Sequence, residues 1–204
     1  MIIVMDLDNT LALTDKAVCK VYNDNTGENV DYTKVKEWYY SDVIKKWTRD
    51  EINNVFIQQE FFDNLQPIPG MYELLKHMQE KGHVIKIASV HRPEGIEMKK
   101  NWIRKHFDFI EEKNINILTG IDPETGDVIM DKSTIEGDIM VDDHIDNLKT
   151  CRCKYKIMYG DYGYQPKEKN IEDVDIRVHN PVELGYVLNI LENCEVKCNG
   201  KAVF

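Results

Sequence analysis

Residues 1–10, MIIVMDLDNT, decide how the rest of this 204-residue chain is read. Ile2, Ile3, Val4 and Met5 form a continuous apolar run, which predicts a short strand buried on both faces. It stops at Asp6-Leu7-Asp8-Asn9-Thr10, leaving two acids at its tip. Side chains on a strand repeat every second residue, so Asp6 and Asp8 point the same way while the chain stays extended. In open parallel α/β sheets the carboxyl edge of the strands is where ligands bind. By itself D-x-D-x-T also describes an ordinary Asp/Asn-rich turn; the remainder of the chain has to choose.

The chain is long enough for one α/β domain with an insertion. Its composition is that of a soluble enzyme, 42% hydrophobic and 30% charged, without repeats or low-complexity tracts. No apolar run approaches membrane-spanning length. Met1 leads straight into strand residues with no basic segment, so no signal peptide and a cytoplasmic location are expected. The net charge of −10 argues against a nucleic-acid polymer or an anionic membrane surface as partner. Cys151-x-Cys153 and Cys194-x-x-x-Cys198 lack a standard zinc spacing and are read as reduced thiols.

A connection from strand to helix takes about 2–6 residues, yet the next convincing core strand, residues 84–89, comes far later. The stretch between is aromatic and reads as helical at 34–41 and 50–62, ending at the Pro67-Ile-Pro-Gly70 corner. Residues 15–66 are therefore expected to be an inserted helical cap, with 1–14 and 67–204 as the core domain. Met71, Leu74, Leu75 and Met78 share one helical face, and Gly82 ends that helix. Ser89 closes the second strand, and a helix over 94–106 carries Ile96, Ile103 and Phe107 on one side. Further strands are expected at 116–118, 138–143, 155–158 and 175–178, and Asn180-Pro181 starts a final amphipathic helix. Strands alternating with helices predict a doubly wound parallel sheet.

Strand tips then carry Asp6/Asp8, Ser89 and Asp142/Asp143, and Lys132 lies ten residues before Asp142. Two carboxylates about 4 Å apart repel by about 4 kcal/mol at an effective dielectric of 20, so acids converging in this number call for a cation. All-oxygen ligands suit Mg²⁺, which keeps waters and accepts a substrate phosphate. The same parts serve phosphoryl transfer: an aspartate nucleophile, a second acid to move the proton, a hydroxyl and a lysine to meet phosphate charge. Asp142 and Asp143 are adjacent and face opposite ways, so one of them should ligate directly while the other orients its surroundings. Asp138, at roughly 3.3 Å per residue, sits roughly 13 Å from Asp142 and is rejected as a ligand.

In this order Asp6-x-Asp8-x-Thr10, Ser89, Lys132 and Asp142-Asp143 resemble the four motifs of the haloacid dehalogenase superfamily of phosphatases. Asp131-Lys132-Ser133, Gly137-Asp138, Val141-Asp142-Asp143 and the junction Phe61-Phe62 through Leu65-Gln-Pro-Ile-Pro-Gly70 resemble more closely the 5'(3')-deoxyribonucleotidases. The likeness covers most of residues 1–145 and is weak beyond about 165. It implies Asp6 as nucleophile, Asp8 as acid/base, Lys132 as the charge-neutralising lysine, and Mg²⁺ held by Asp6, the Asp8 carbonyl and Asp143, with Asp142 behind them. Lys132 follows an apparent extra hairpin, 121–130, that the resemblance does not predict.

A cap would exclude water and confer specificity, and aromatic faces can stack on a base. The resemblance places Trp38, Tyr39, Phe56 and Phe62 along the base and sugar pocket; Ser89 is read as donating to a phosphate oxygen and Thr10 as a further substrate contact. At Thr14 the chain departs from the family, which commonly has an aromatic there. His91 and Arg92, just after Ser89, could reach the phosphate or close the pocket, and a surface turn before Pro93 is the reading slightly preferred. The expected function is a Mg²⁺-dependent phosphatase acting on nucleoside monophosphates, with deoxyribonucleotides favoured and a homodimer left open. Its competitors are a phosphatase for another small phosphoester or for 3'-phosphate ends of nucleic acid, and a phosphoacceptor module without turnover. Asp8 and the aromatic cap disfavour the last.

Overall fold

A computed structural model, describing residues 1–124, 128–168 and 171–199 and side chains as far as 193, places six strands in one wholly parallel sheet. They are β1 (Ile2–Met5), β2 (Val84–Val90), β3 (Ile115–Leu118), β4 (Glu136–Asp142), β5 (Arg152–Tyr159) and β6 (Ile176–Val178), in the order β3-β2-β1-β4-β5-β6. The apolar opening run is central because it is covered on both faces. Ile3 and Met5 enter the larger core cluster, with Ile87 and Val141, while Val4 enters the opposite one, with Ala88 and Met140. The alternation is the period of two written in the sequence.

Helices α4 (Met71–Glu80) and α5 (Ile96–His106) begin and end close to the predicted bounds, and α7 (Pro181–Asn199) begins at the predicted proline. Asn180 caps α7 by accepting from the Glu183 N–H at 3.0 Å. A six-residue helix, α6 (Ile145–Thr150), was not expected; it is too short to show a period.

Between β1 and β2 the chain leaves and returns as a pair: Leu13 N–H donates to the Gln66 carbonyl and Ile68 N–H to that of Leu11, both at 2.8 Å. The excursion contains α1 (Thr14–Thr26), α2 (Arg49–Val55) and α3 (Gln59–Asn64). The reading of 34–41 as helix is corrected. A single 3₁₀ turn, Tyr32–Lys34, gives way to irregular chain in which Tyr40 has φ 60°. Asp42 accepts from the Lys36 N–H at 2.6 Å, an alternative to helical pairing. The stretch 50–62 is also broken in two, α2 being started by a Thr48/Glu51 capping box.

Candidate active site

In this strand order the crossover direction reverses between β1 and β4, the switch point where doubly wound sheets bind ligands. Asp6 follows β1, its N–H donating to the Val141 carbonyl at 2.9 Å. Asp142 ends β4 and Asp143 follows it. Fully buried between them, the Lys132 ammonium donates to Asp6 Oδ1 and to Asp142 Oδ2, both at 2.6 Å. The other Asp142 oxygen accepts from the His144 N–H at 2.9 Å and from Asn147 Nδ2 at 3.1 Å. Asp142 is thus committed on both oxygens. Asp143 has Oδ2 engaged by the Tyr164 hydroxyl.

One carboxylate oxygen from each of Asp6, Asp142 and Asp143 lies within 4.8 Å of the others. Burial, with the Asp142 and Asp8 charges adding to it against Lys132, raises the Asp6 carboxyl to about 7. Burial and the charges of Asp142 and Asp6 push Asp143 well above its usual range. Such a set of acids is short of positive charge despite Lys132, and its donor chemistry fits a hard divalent cation. Asp138 is far from it, at the start of β4, where its carboxylate accepts from the Ile2 N–H at 2.6 Å.

Asp8 has a different environment. Lys99, on α5 and buried, donates to Asp8 Oδ2 at 2.5 Å and to Ser89 Oγ at 3.0 Å. The Thr14 hydroxyl, where an aromatic was the familiar residue, donates to Asp8 Oδ1 at 3.0 Å. Burial alone would raise the Asp8 carboxyl, but Lys99 outweighs it and holds the group below its ordinary value. Lys99 was missed in the sequence although a signal existed: it sits on the same helical face as Ile96 and Ile103, a position where a lysine needs a reason.

A cavity opens from these acids toward the inserted segment. Asp6, Asp8, Ser89 and Asp143 lie along it with Trp38, Tyr39 and Phe56, and the extra hairpin adds Val128 and Met130. The structure pairs Ile121 with Val128 in that hairpin. Two expected substrate contacts are corrected. Thr10 is fully buried in the turn after β1 and Phe62 packs edge-on against Phe61 and His91; neither lines the cavity. His91 is corrected from a surface turn to a buried residue of the cavity wall. Burial and the neighbouring Lys99 push its imidazole down to about 3, so it is neutral. It fits because residue 95 is glycine: a Cβ there would stand 2.1 Å from His91 Nε2. Cys19, Cys151 and Cys153 are unpaired buried thiols; the side chains of Cys194 and Cys198 lie outside the described residues.

Comparison with known proteins places the chain among relatives of one family. Residues 1–188 match the family described as "5' nucleotidase, deoxy (Pyrimidine), cytosolic type C protein". A 5'(3')-deoxyribonucleotidase of Bacillus subtilis is 30% identical over 155 residues, 73% of this chain and 79% of that protein. One from Clostridium acetobutylicum is 26% identical over 145 residues, 71% and 74%. Among solved structures, a HAD family hydrolase from Deinococcus radiodurans with bound phosphate and sodium superposes with TM-score 0.57 at 14% identity, covering 93% of this chain and 95% of its own. CbbY from Rhodobacter sphaeroides in complex with phosphate gives 0.54 at 12% identity, covering 90% and 96%. At those identities the structures speak for the fold. With the family match spanning the sheet and its acidic edge, the chain belongs to the cytosolic type C deoxy-pyrimidine 5'-nucleotidases, phosphoric monoester hydrolases of the haloacid dehalogenase type.

Proposed function

We propose that the protein is a Mg²⁺-dependent phosphatase that releases phosphate from nucleoside monophosphates, chiefly deoxyribonucleotides, through an aspartyl-phosphate on Asp6. The observation that carries this is one cavity with Asp6 and Asp8 at its floor and Trp38, Tyr39 and Phe56 along its walls. Residues 15–66 serve as the cap that supplies those walls.

Lys132 holds one oxygen of Asp6, leaving the other to attack phosphorus. The ester P–O bond breaks and the leaving oxygen takes a proton from Asp8, a carboxylate in the free protein that first accepts this proton from the monoanion of the phosphate monoester. A water then attacks the acyl phosphate, Asp8 takes its proton, and the bond between phosphorus and Asp6 breaks, returning the carboxylate. Ser89 and Lys99, beside Asp8, face the incoming phosphate charge. Asp6, the Asp8 carbonyl and Asp143 would hold the cation, Asp142 being occupied by Lys132, His144 and Asn147. Bound there, Mg²⁺ supplies charge neutralisation of acids and phosphate. The test is phosphate release across a panel of nucleoside monophosphates, ribo and deoxy, 5' and 3'. Preference for deoxyribonucleotides, abolished by Asp6→Asn in a folded variant and by chelation, supports the assignment. Equal turnover of every phosphoester, or wild-type activity in Asp6→Asn, overturns it.

A further inference from the structure

The segment that follows β5, Gly160-Asp-Tyr-Gly-Tyr-Gln165, lies outside the four motifs, yet it reaches their last acid. The Tyr164 hydroxyl donates to Asp143 Oδ2 and accepts from Asn9 Nδ2 at 3.0 Å. Tyr162 donates to the Asn9 carbonyl at 2.6 Å, and the two tyrosine rings are parallel, 5.6 Å apart. Gln165 Nε2 donates to the Asp143 carbonyl at 2.9 Å and to that of Tyr159 at 2.7 Å. Asp143 is therefore held by both its backbone and its side chain from one strap.

The other side of the strap meets the cap. The Trp38 ring stands edge-on to Tyr164 at 5.0 Å. The cap backbone is seated directly on Gly163, where a Cβ would stand 2.4 Å from Lys36 Cα and 2.7 Å from the Val35 carbonyl oxygen. Tyr164, which engages the Asp143 carboxylate, is thus also a side chain against which a cap aromatic packs.

We propose that Tyr164 is a positioning residue for a divalent cation, its hydroxyl fixing Asp143 Oδ2 so that Oδ1, which accepts no hydrogen bond among the described residues, is presented as the ligand. This rests on the reading of Asp143 as a cation ligand. Partners that orient a ligating carboxylate without touching the metal are worth about 10–100-fold in metal affinity. Losing the hydroxyl frees the carboxylate to rotate, an ordering cost then met on binding.

The experiment is calorimetric titration of the full chain, without substrate, with MgCl₂, comparing wild type with Tyr164→Phe, Tyr162→Phe and Asp143→Asn, each checked by its melting curve. Tyr164→Phe keeps the ring against Trp38 and should raise the Mg²⁺ Kd about tenfold or more. Tyr162→Phe removes a hydroxyl from the same strap that touches Asn9 and not Asp143, and should leave Kd within about twofold. Asp143→Asn should abolish binding. If Asp143→Asn abolishes binding while Tyr164→Phe binds as wild type, the proposal fails alone. Equal weakening by the two tyrosine variants marks a general loss of strap order and also overturns it. If Asp143→Asn binds as wild type, the cation reading itself falls.

Discussion

Lys99 donates its ammonium to Asp8 at 2.5 Å although 91 residues separate the two. The contact holds the proposed acid/base as a carboxylate before substrate arrives, while Ser89 shares the same ammonium. Removing the cation in Lys99→Met strands Asp8 and takes a positive charge from the phosphate's path. General acid/base catalysis contributes 10²–10⁴-fold, so kcat should fall by on the order of 100-fold or more. Steady-state kinetics on the preferred nucleotide check this; kcat within about threefold of wild type contradicts the role.

Lys132 is a stability element as well. Its ammonium is shared by two buried carboxylates, whose attraction raises its pKa above the ordinary value in spite of burial. Breaking a buried pair from one side costs about 3–5 kcal/mol. At roughly 2–4 °C per kcal/mol for a chain of this size, Lys132→Met should melt on the order of 10 °C lower. Added Mg²⁺ should recover part of that loss by supplying charge to the same acids. Differential scanning calorimetry with and without Mg²⁺ decides; an unchanged Tm refutes the pairing argument.

His91 predicts an acid limb in stability. Its imidazole is near 6.5 when unfolded and pushed down to about 3 in the fold, by burial and then by Lys99, with Asp8 and a Phe56 backbone hydrogen bond working the other way. A base depressed on folding leaves the unfolded chain binding more protons below 6.5, so stability falls as pH drops from there toward 3. By pH 5 the loss from this one group is on the order of 2 kcal/mol. Denaturant titrations at pH 7 and 5 should show His91→Gln losing less stability between the two than wild type does. A parallel dependence in both proteins removes His91 as the source.

On the proposed function, the aromatics of residues 15–66 are what would separate a nucleotide from a generic phosphoester. Trp38 lines the cavity and packs on His144 at 4.3 Å and on Tyr164. If it stacks on the base, Trp38→Ala should weaken nucleotide use by about 1–3 kcal/mol, roughly 5- to 150-fold in kcat/KM. Turnover of p-nitrophenyl phosphate at saturating Mg²⁺, which needs chiefly the strand tips, should change far less. Equal losses on both substrates would assign Trp38 to the packing of the strap instead of to the base.

Local patterning along the chain carries the strands and their tips. Buried parallel strands are written as continuous apolar runs, so β1, β2 and β4 could be read directly, with Asp6/Asp8, Ser89 and Asp142/Asp143 at their tips. Lys132 was legible through its spacing to Asp142. Which element faces which depends on long-range packing. Residues 34–41 carry helix-forming residues, yet the chain there is held irregular by Asp42 and by its seat on Gly163. Phe62 and Thr10 have the right chemistry, but α3 and the turn after β1 point them into the core. Lys99 and Tyr164 acquire their partners across 91 and 21 residues. Such contacts depend on how α5 and the strap after β5 pack over the sheet edge, and packing of that range leaves no period in the chain from which to read it.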